Sequence, residues 1–389
     1  MVQNEVKFLG NICEIGRGSS PRPINDIRYF EGGTIPWIKI ADATKSEKYL
    51  YETKEHVNEY GASFSRIMPK GSLIFSASGV SLGKPIILGV EGCIHDGWIY
   101  LNNFDKTILS EYLYYFLLTQ QKYFLNFSYG AAIQNINTDI MKGMPISLPS
   151  TKNQQKIVNI LSNYDDLIEN NNKRIKILEE MAQKIYKEWF VDFKFPNHET
   201  ATFKQTDLGE IPSDWEVVLV ENLLKRLKAK NKYTQDNVIS QGNTIVIDQS
   251  TAEFLGFHNN EPDFYANPEK PLIIFGDHTC KMQILVENFS IGPNVIPITS
   301  DTIPIAFLYY LIDSLIETKE YKRHWNDLIA KKVILPTNNL TMYYSKIITP
   351  IMATINHLKH KNMNLKQTRD ILLPRLISGE IDVENMEIV

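Results

Sequence analysis

The chain has little cysteine. Cys13, Cys93 and Cys280 are three in 389 residues, an odd number placed far apart. Such spacing offers neither a disulfide framework nor a metal-ligand set, and it points to a reducing compartment. No apolar run approaches the roughly 18 residues of a membrane-spanning helix. The opening MVQNEVKFLG lacks the basic and apolar regions of a secretory signal. A cytoplasmic protein without membrane association is expected. An excess of positive charge is missing too. The net charge is −4; residues 1–150 balance 14 basic against 14 acidic side chains, and residues 201–336 carry 13 against 18. Any face for a polyanion must then be local, with the acids turned away from it.

Catalytic signatures are also lacking. There is no G-x-x-x-x-G-K-[ST] phosphate loop. There is no Asn-Pro-Pro-aromatic run of the kind amino-methyltransferases use; Asn260-Glu261-Pro262 lacks the second proline. Pro262-Asp263 with Glu317-Thr318-Lys319 spells a nuclease-like pattern, but the second half is expected on a helix rather than a strand. His278 and Cys280 have no second ligand pair, so a zinc site is not expected. His357 and His360 are expected on the solvated side of a helix. No metal, no cofactor and no reaction are assigned to the chain itself.

What the sequence does contain is a long amphipathic stretch, Thr151 to Phe190. Leu161, Tyr164, Ile168, Asn171, Ile175, Leu178, Ala182, Ile185 and Trp189 recur at alternating steps of three and four. That is the seam of a coiled-coil helix. Thr151 and Gln154 spell a capping box after Pro149, and Phe195-Pro196 a stop. So narrow an apolar face needs a partner, and a shift of 187 positions supplies one. Ile160 falls on Ile347, Ile168 on Ile355, Leu178 on Leu365, Ile185 on Leu372 and Trp189 on Leu376. The second seam runs through Ile348, Ile351, Ile355, Leu358, Leu365, Leu372 and Leu376. Asn171, Asn362 and Arg369 are polar exceptions that either fix register or face a partner. Asn170 to Asn172 leave the continuity of the first helix open, because asparagine is a poor helix former.

The repeat extends to the globular parts. Ile35–Ile40, Ser72–Ser76, Pro85–Leu88 and Trp98–Leu101 read as strands between Gly-rich turns, and Ser110–Phe124 reads as a core helix capped by Ser110. Lys270-Pro271-Leu272-Ile273-Ile274-Phe275 matches Lys70-Gly71-Ser72-Leu73-Ile74-Phe75, and Leu308–Ile312 matches Leu113–Leu117. The expected fold is α/β (α+β). Its parts are domain 1 (1–150), long helix 1 (151–195), domain 2 (196–336), long helix 2 (337–379) and a tail (380–389), each long helix serving as the other's partner. Gly379 suits a left-handed residue after the second helix.

These residues resemble a known family. LEEMAQKIYKEWFVDFKFP (178–196), GEIPSDW (209–215), ILLPRLISGEIDV (371–383) and the opening FLGNICEIGRGSSPRP with GGTIPWIKI are similar to the specificity subunit of type I restriction-modification enzymes. The likeness spans the chain; GDHT (276–279) and IGPNVIPI (291–298) fit it only loosely. It implies that each globular unit is a target recognition domain for one half of a bipartite double-stranded DNA site. It also implies that the two long helices pack as an antiparallel coiled coil, giving a pseudo-twofold tandem repeat, that they separate the domains and dock two modification subunits carrying S-adenosylmethionine, and that a restriction and translocase subunit joins for cleavage. The competing reading is an adaptor with two protein-binding domains on a coiled coil.

If DNA is the ligand, Lys and Arg serve phosphates, and Arg, Lys, Asn, Gln and His serve base edges. Arg17, Lys39, Ser78, Lys84, Gln134 and Asn135 are candidates in domain 1, from their places in loops at strand ends. In domain 2 the densest basic run is LLKRLKAKNKY (223–233), with Lys225, Arg226, Lys228, Lys230 and Lys232. It reads equally as an extended edge or as a helical face. His278, Lys281, Arg323 and Lys331 are weaker candidates.

Overall fold

The computed structural model describes residues 5–43, 46–79, 81–121, 123–124, 136–250, 252, 254–313, 315–318, 320 and 322–386. They form two compact units: residues 1–170 with 362–389, and residues 171–361. Each unit thus holds one globular domain and a part of each long helix. This differs from a chain cut into successive blocks, and the reason is packing. A helix with a narrow seam contributes to whichever core its side chains enter.

In the first unit, Glu14–Arg17, Trp98–Asn102, Leu73–Ser76, Pro85–Leu88 and Tyr49–Leu50 form a five-stranded sheet in that order. A second sheet runs Glu55–Val57, Ile35–Ile38, Gly92–Ile94, Arg66–Met68, its central pair parallel. The second unit repeats both. Lys225–Arg226, Val295–Thr299, Leu272–Gly276 and Met282–Leu285 match the first four strands of the larger sheet. Gly256–His258, Thr244–Ile247 and Phe289–Ile291 repeat the second sheet with the same parallel pair. Glu5–Phe8 pairs with Pro145–Leu148 as Glu216–Leu219 pairs with Lys332–Leu335, each ribbon leading into a long helix. The tandem expected from the 187-residue shift is present in topology and strand order.

The first long helix, Thr151–Tyr186, runs without a break through Asn170–Asn172 and closes in a π turn, Lys187–Val191, before Phe195-Pro196 is reached. The second spans Asn338–Ile377. Gly379 has φ +78°, the left-handed residue expected there. Leu161, Ile168, Ile175, Ile348, Leu358 and Leu376 are buried. Leu178, Ile185, Trp189, Ile351, Ile355, Leu365 and Leu372 are half-buried. Asn171 and Asn362 are buried as well.

Two caps differ from expectation. Ser150 rather than Thr151 begins the first long helix: its Oγ accepts from the Asn153 N–H at 3.3 Å. Gln154 does not fold back into a capping box. Its fully buried amide accepts from the Leu109 N–H (2.9 Å) and donates to the carbonyls of Thr107 (2.7 Å) and Pro149 (2.9 Å). It therefore fastens the start of the core helix Ser110–Thr119 to the long helix. That core helix is shorter than Ser110–Phe124, and its N-cap position is Leu109, with no side-chain bond. Glu317 and Thr318 lie outside any helix, and Lys319 lies outside the described residues.

The cores explain why the helices belong to the domains. In unit one Phe75, Leu101, Tyr112 and Leu117 pack with Ile157 and Leu161 of the first long helix and Leu373 and Leu376 of the second. In unit two Phe275, Ile298 and Phe307 pack with Ala182, Phe190, Tyr344 and Ile348. Within each unit the helix segments are antiparallel. Lys156 Nζ donates to the Val383 and Glu384 carbonyls while Asp165 pairs with Arg369; in the other unit Tyr344 donates to the Ala182 carbonyl while Lys359 lies 3.8 Å from Glu179.

The two junctions of domain and helix differ in chemistry. In unit one a polar chain, buried except at half-exposed Glu111, runs from Lys48 to Glu111 (2.9 Å) and Tyr115, from Tyr115 to Asp165 (2.5 Å), and from Asp165 to Arg369. In unit two Tyr186, Phe190, Phe307, Tyr310 and Tyr344 stack edge and face at centroid distances of 4.9–6.1 Å. Met352 stands 187 positions after Asp165, so the acid has no counterpart in the repeat.

Candidate nucleic-acid interface

The shared topology makes the candidate residues comparable. Ile15 faces Leu101, which faces Leu73; Arg226 faces Ile298, which faces Ile273. Leu73 and Ile273 are equivalent in sequence, so Ile15 corresponds to Arg226. Two residues on, Lys228 corresponds to Arg17, and Lys230 to Ser19. Both repeats thus send a basic residue out from the same end of the same edge strand.

The basic run of domain 2 is extended, not helical. Lys225–Arg226 is a strand, the Leu227 N–H donates to the Pro297 carbonyl (2.9 Å), and the Tyr233 N–H donates to the Ile291 carbonyl (3.0 Å). Leu227 and Ala229 turn onto the core while Lys228, Lys230 and Lys232 are exposed. The period of two separates apolar from charged side chains, as in any half-buried strand. Lys225 is paired with Asp301 at 3.0 Å, and Arg226 lies over the Trp325 ring at 5.7 Å.

The ammonium groups of Lys84 and Lys281 are engaged by backbone carbonyls of their own domains. Lys84 Nζ donates to the Ala43 (2.7 Å) and Ser46 (2.6 Å) carbonyls, and Lys281 Nζ to the Asp248 (3.1 Å) and Ala252 (2.6 Å) carbonyls. Each lysine stands just before the equivalent strand and ties the loop that follows the centre of the second sheet. They are matched struts. Burial pushes the Lys84 ammonium below its ordinary range. Ser78 is half-buried, its carbonyl accepting from Ser76 Oγ at 3.1 Å. His278 is half-buried, its N–H donating to Gln249 Oε1 at 3.1 Å. Arg323 approaches Asp277 at 3.8 Å, whose carboxylate accepts from the His324 and Trp325 N–H groups. Lys331 is exposed. His360 pairs with Glu287 at 2.9 Å rather than standing solvated. Gln134 and Asn135 lie outside the described residues.

Arg17 and Lys39 belong to one cluster, with members that the sequence did not single out. Arg17 Nε donates to the Asp96 carbonyl (2.7 Å), and the Asp96 carboxylate pairs with Arg22. Lys39 lies 4.8 Å over the Trp37 ring and pairs with Glu55. His95 packs on Trp37 with centroids 5.7 Å apart and accepts the Gly97 N–H at Nδ1 (2.9 Å). Burial holds the His95 imidazole below its ordinary pKa, which suits that acceptor role. Seventy-odd residues separate Arg22 from Asp96, so no local pattern could have joined them.

Residues 1–180 match the model of the type I restriction modification DNA specificity domain. Over that stretch the chain is similar to this family of DNA specificity domains. It is similar to the type I restriction enzyme MjaIX specificity subunit of Methanocaldococcus jannaschii, 26% identical over 98% of this chain and 94% of that one. The MjaVIII specificity subunit of the same organism is 29% identical over 52% of this chain and 48% of that one. In fold it is similar to the type I restriction-modification S subunit from M. genitalium, with a TM-score of 0.56, 16% identity, and coverage of 96% and 95%. Among the described residues the chain contains no helix long and apolar enough to cross a membrane.

Proposed function

We propose that this chain is the sequence-specific DNA-recognition subunit of a type I restriction-modification complex and performs no chemistry itself. Each domain reads one half of a bipartite duplex target. The long helices set the distance between the half-sites and dock two modification subunits. Those subunits carry S-adenosylmethionine, and a restriction and translocase subunit joins for cleavage in the cytoplasm. The domains are assigned as residues 1–150 and 196–336, the helices as 151–195 and 337–379.

The observation that carries this reading is the doubled two-sheet scaffold with unlike surfaces. The same order of the shared strands holds two different loop sets, which is what reading two different half-sites requires. The family match, to a DNA specificity domain, favours it over a protein-binding adaptor. Phosphate affinity comes from the exposed lysines at 228, 230 and 232 and from the Arg17 edge. Lys84 and Lys281 serve by holding the loops. Methylome sequencing of a host with and without the chain tests the reading: a split methylated motif disappears on deletion. An unchanged methylome rejects it.

A further inference from the structure

We propose that Arg22, held in place by Asp96, reads a guanine in the half-site of domain 1. This rests on the reading of the domain as a DNA reader and assigns one contact within it.

The loop that carries Arg22 is fastened to the loop that carries Asp96. The Gly18 N–H donates to the Trp98 carbonyl (2.9 Å), the Ser19 N–H to the Ile94 carbonyl (3.2 Å), and the Asp96 N–H to Ser20 Oγ (3.2 Å). The Tyr29 hydroxyl donates to the Arg22 carbonyl (2.9 Å). Gly18 is needed for this fit, because a Cβ there would lie 2.3 Å from the His95 carbonyl oxygen. The backbone on both sides of the ion pair is therefore fixed, as a base-reading group requires. The guanidinium itself is held out: the Arg22 side chain is 66% exposed, while that of Asp96 is 33% exposed.

The chemistry of the pair decides the ligand. A phosphate clamp needs net positive charge, and a carboxylate beside the arginine works against it. A base edge carries no net charge, so Asp96 opposes it less than it would a phosphate, and its contact to Nη2 positions the guanidinium. The edge that takes two parallel N–H donors in the major groove is guanine, at O6 and N7. Arg17, which buttresses the same loop through the Asp96 carbonyl, supplies charge for a flanking phosphate. The site also leaves the edge strand where domain 2 presents Lys228, so both repeats direct this end of the sheet to the same kind of ligand.

The test is the methylome of a host expressing the full complex with Arg22→Ala, Arg22→Lys or Asp96→Asn. Arg22→Ala is expected to relax one G·C position of one half-site by roughly five- to 150-fold, leaving the other half-site as stringent as before. Arg22→Lys keeps the charge but loses the fork, and relaxes the same position. Asp96→Asn relaxes it less, since Asp96 is a positioning residue. The unchanged second half-site shows that the complex is folded and assembled. An intact motif with Arg22→Ala overturns the assignment, and so does a uniform loss of methylation at all sites. If the motif of the unaltered complex does not depend on this chain, the DNA reading falls and the Arg22 assignment with it.

Discussion

Asp165 on the first long helix and Arg369 on the second form an ion pair sealed inside unit one, their side chains 4% and 13% exposed. Burial disfavours the guanidinium charge, but Asp165 outweighs it and holds Arg369 above its ordinary value. The second oxygen of Asp165 accepts from Tyr115, whose phenol burial and the adjacent carboxylate keep protonated far above its usual range. Removing one partner of such a pair strands a charge. Arg369→Met is expected to destabilise the chain by about 3–5 kcal/mol. Asp165→Asn combined with Arg369→Met should recover part of that loss. Denaturant midpoints of the single and double variants give the coupling; strictly additive losses would contradict it.

The seam makes a graded claim. Ile168 is 1% exposed, so Ile168→Ala should cost about 2–5 kcal/mol. Ile355 is half-buried, and Ile355→Ala should cost clearly less. Equal shifts in chemical denaturation would show that the two positions share one environment.

Lysines with different geometry should respond differently to salt. Neutralising Lys228 and Lys230 together is expected to weaken binding to every duplex and to lower the log–log salt slope by roughly 2. Lys84→Ala should leave the slope unchanged and reduce thermal stability, because its ammonium is committed to the Ala43 and Ser46 carbonyls. Fluorescence anisotropy titrations of the assembled complex over a range of salt measure both.

His95 fixes the sign of one pH dependence. Its pKa is depressed by burial, so the folded chain favours the neutral ring. Its contribution is present above the unfolded value near 6.5 and is lost as pH falls through the folded value. Glu47 adds a second loss at lower pH: burial raises its carboxyl, but Lys366 more than offsets this and holds it below 4.5. Melting temperature should fall on acidification from pH 7 to 5, and His95→Gln should flatten that limb. A variant as steep as the parent chain would remove His95 from the account.

The spacer role of the helices carries a length prediction. Inserting seven residues into each helix adds about 10 Å, or roughly three base pairs, to the unread spacer. Both half-sites should stay as they were. Methylome sequencing of the lengthened chain reads spacer and half-sites together, and altered half-sites would reject the ruler.

Much of the fold was legible because it is written in short periods. The three-four alternation located the first long helix, and the 187-residue shift located the second. What escaped was decided at long range. Asp165 reads as a solvated charge next to Tyr164 until Arg369 and Tyr115 are folded against it. Gln154 spells a capping box, yet its amide is used by Thr107, Leu109 and Pro149. Strands of three residues, such as Glu55–Val57 and Gly92–Ile94, are too short to show a period. At the site, the exposed lysines were visible as a run. The struts and the Arg22–Asp96 pair were not, since each depends on loops that meet only in the folded chain.

The polar chain from Lys48 to Arg369 also governs inheritance. Lys48, Glu111 and Tyr115 belong to domain 1, whereas Asp165 and Arg369 belong to the helices. A recombination event that imports a new first domain must bring a hydroxyl donor at the position of Tyr115, or leave the helix pair short of one bond. Domain 2 instead meets its helices through aromatic rings and the Glu287–His360 pair. The two recognition modules of one chain are therefore not interchangeable cassettes, and new specificities should be acquired within each position rather than by trading places.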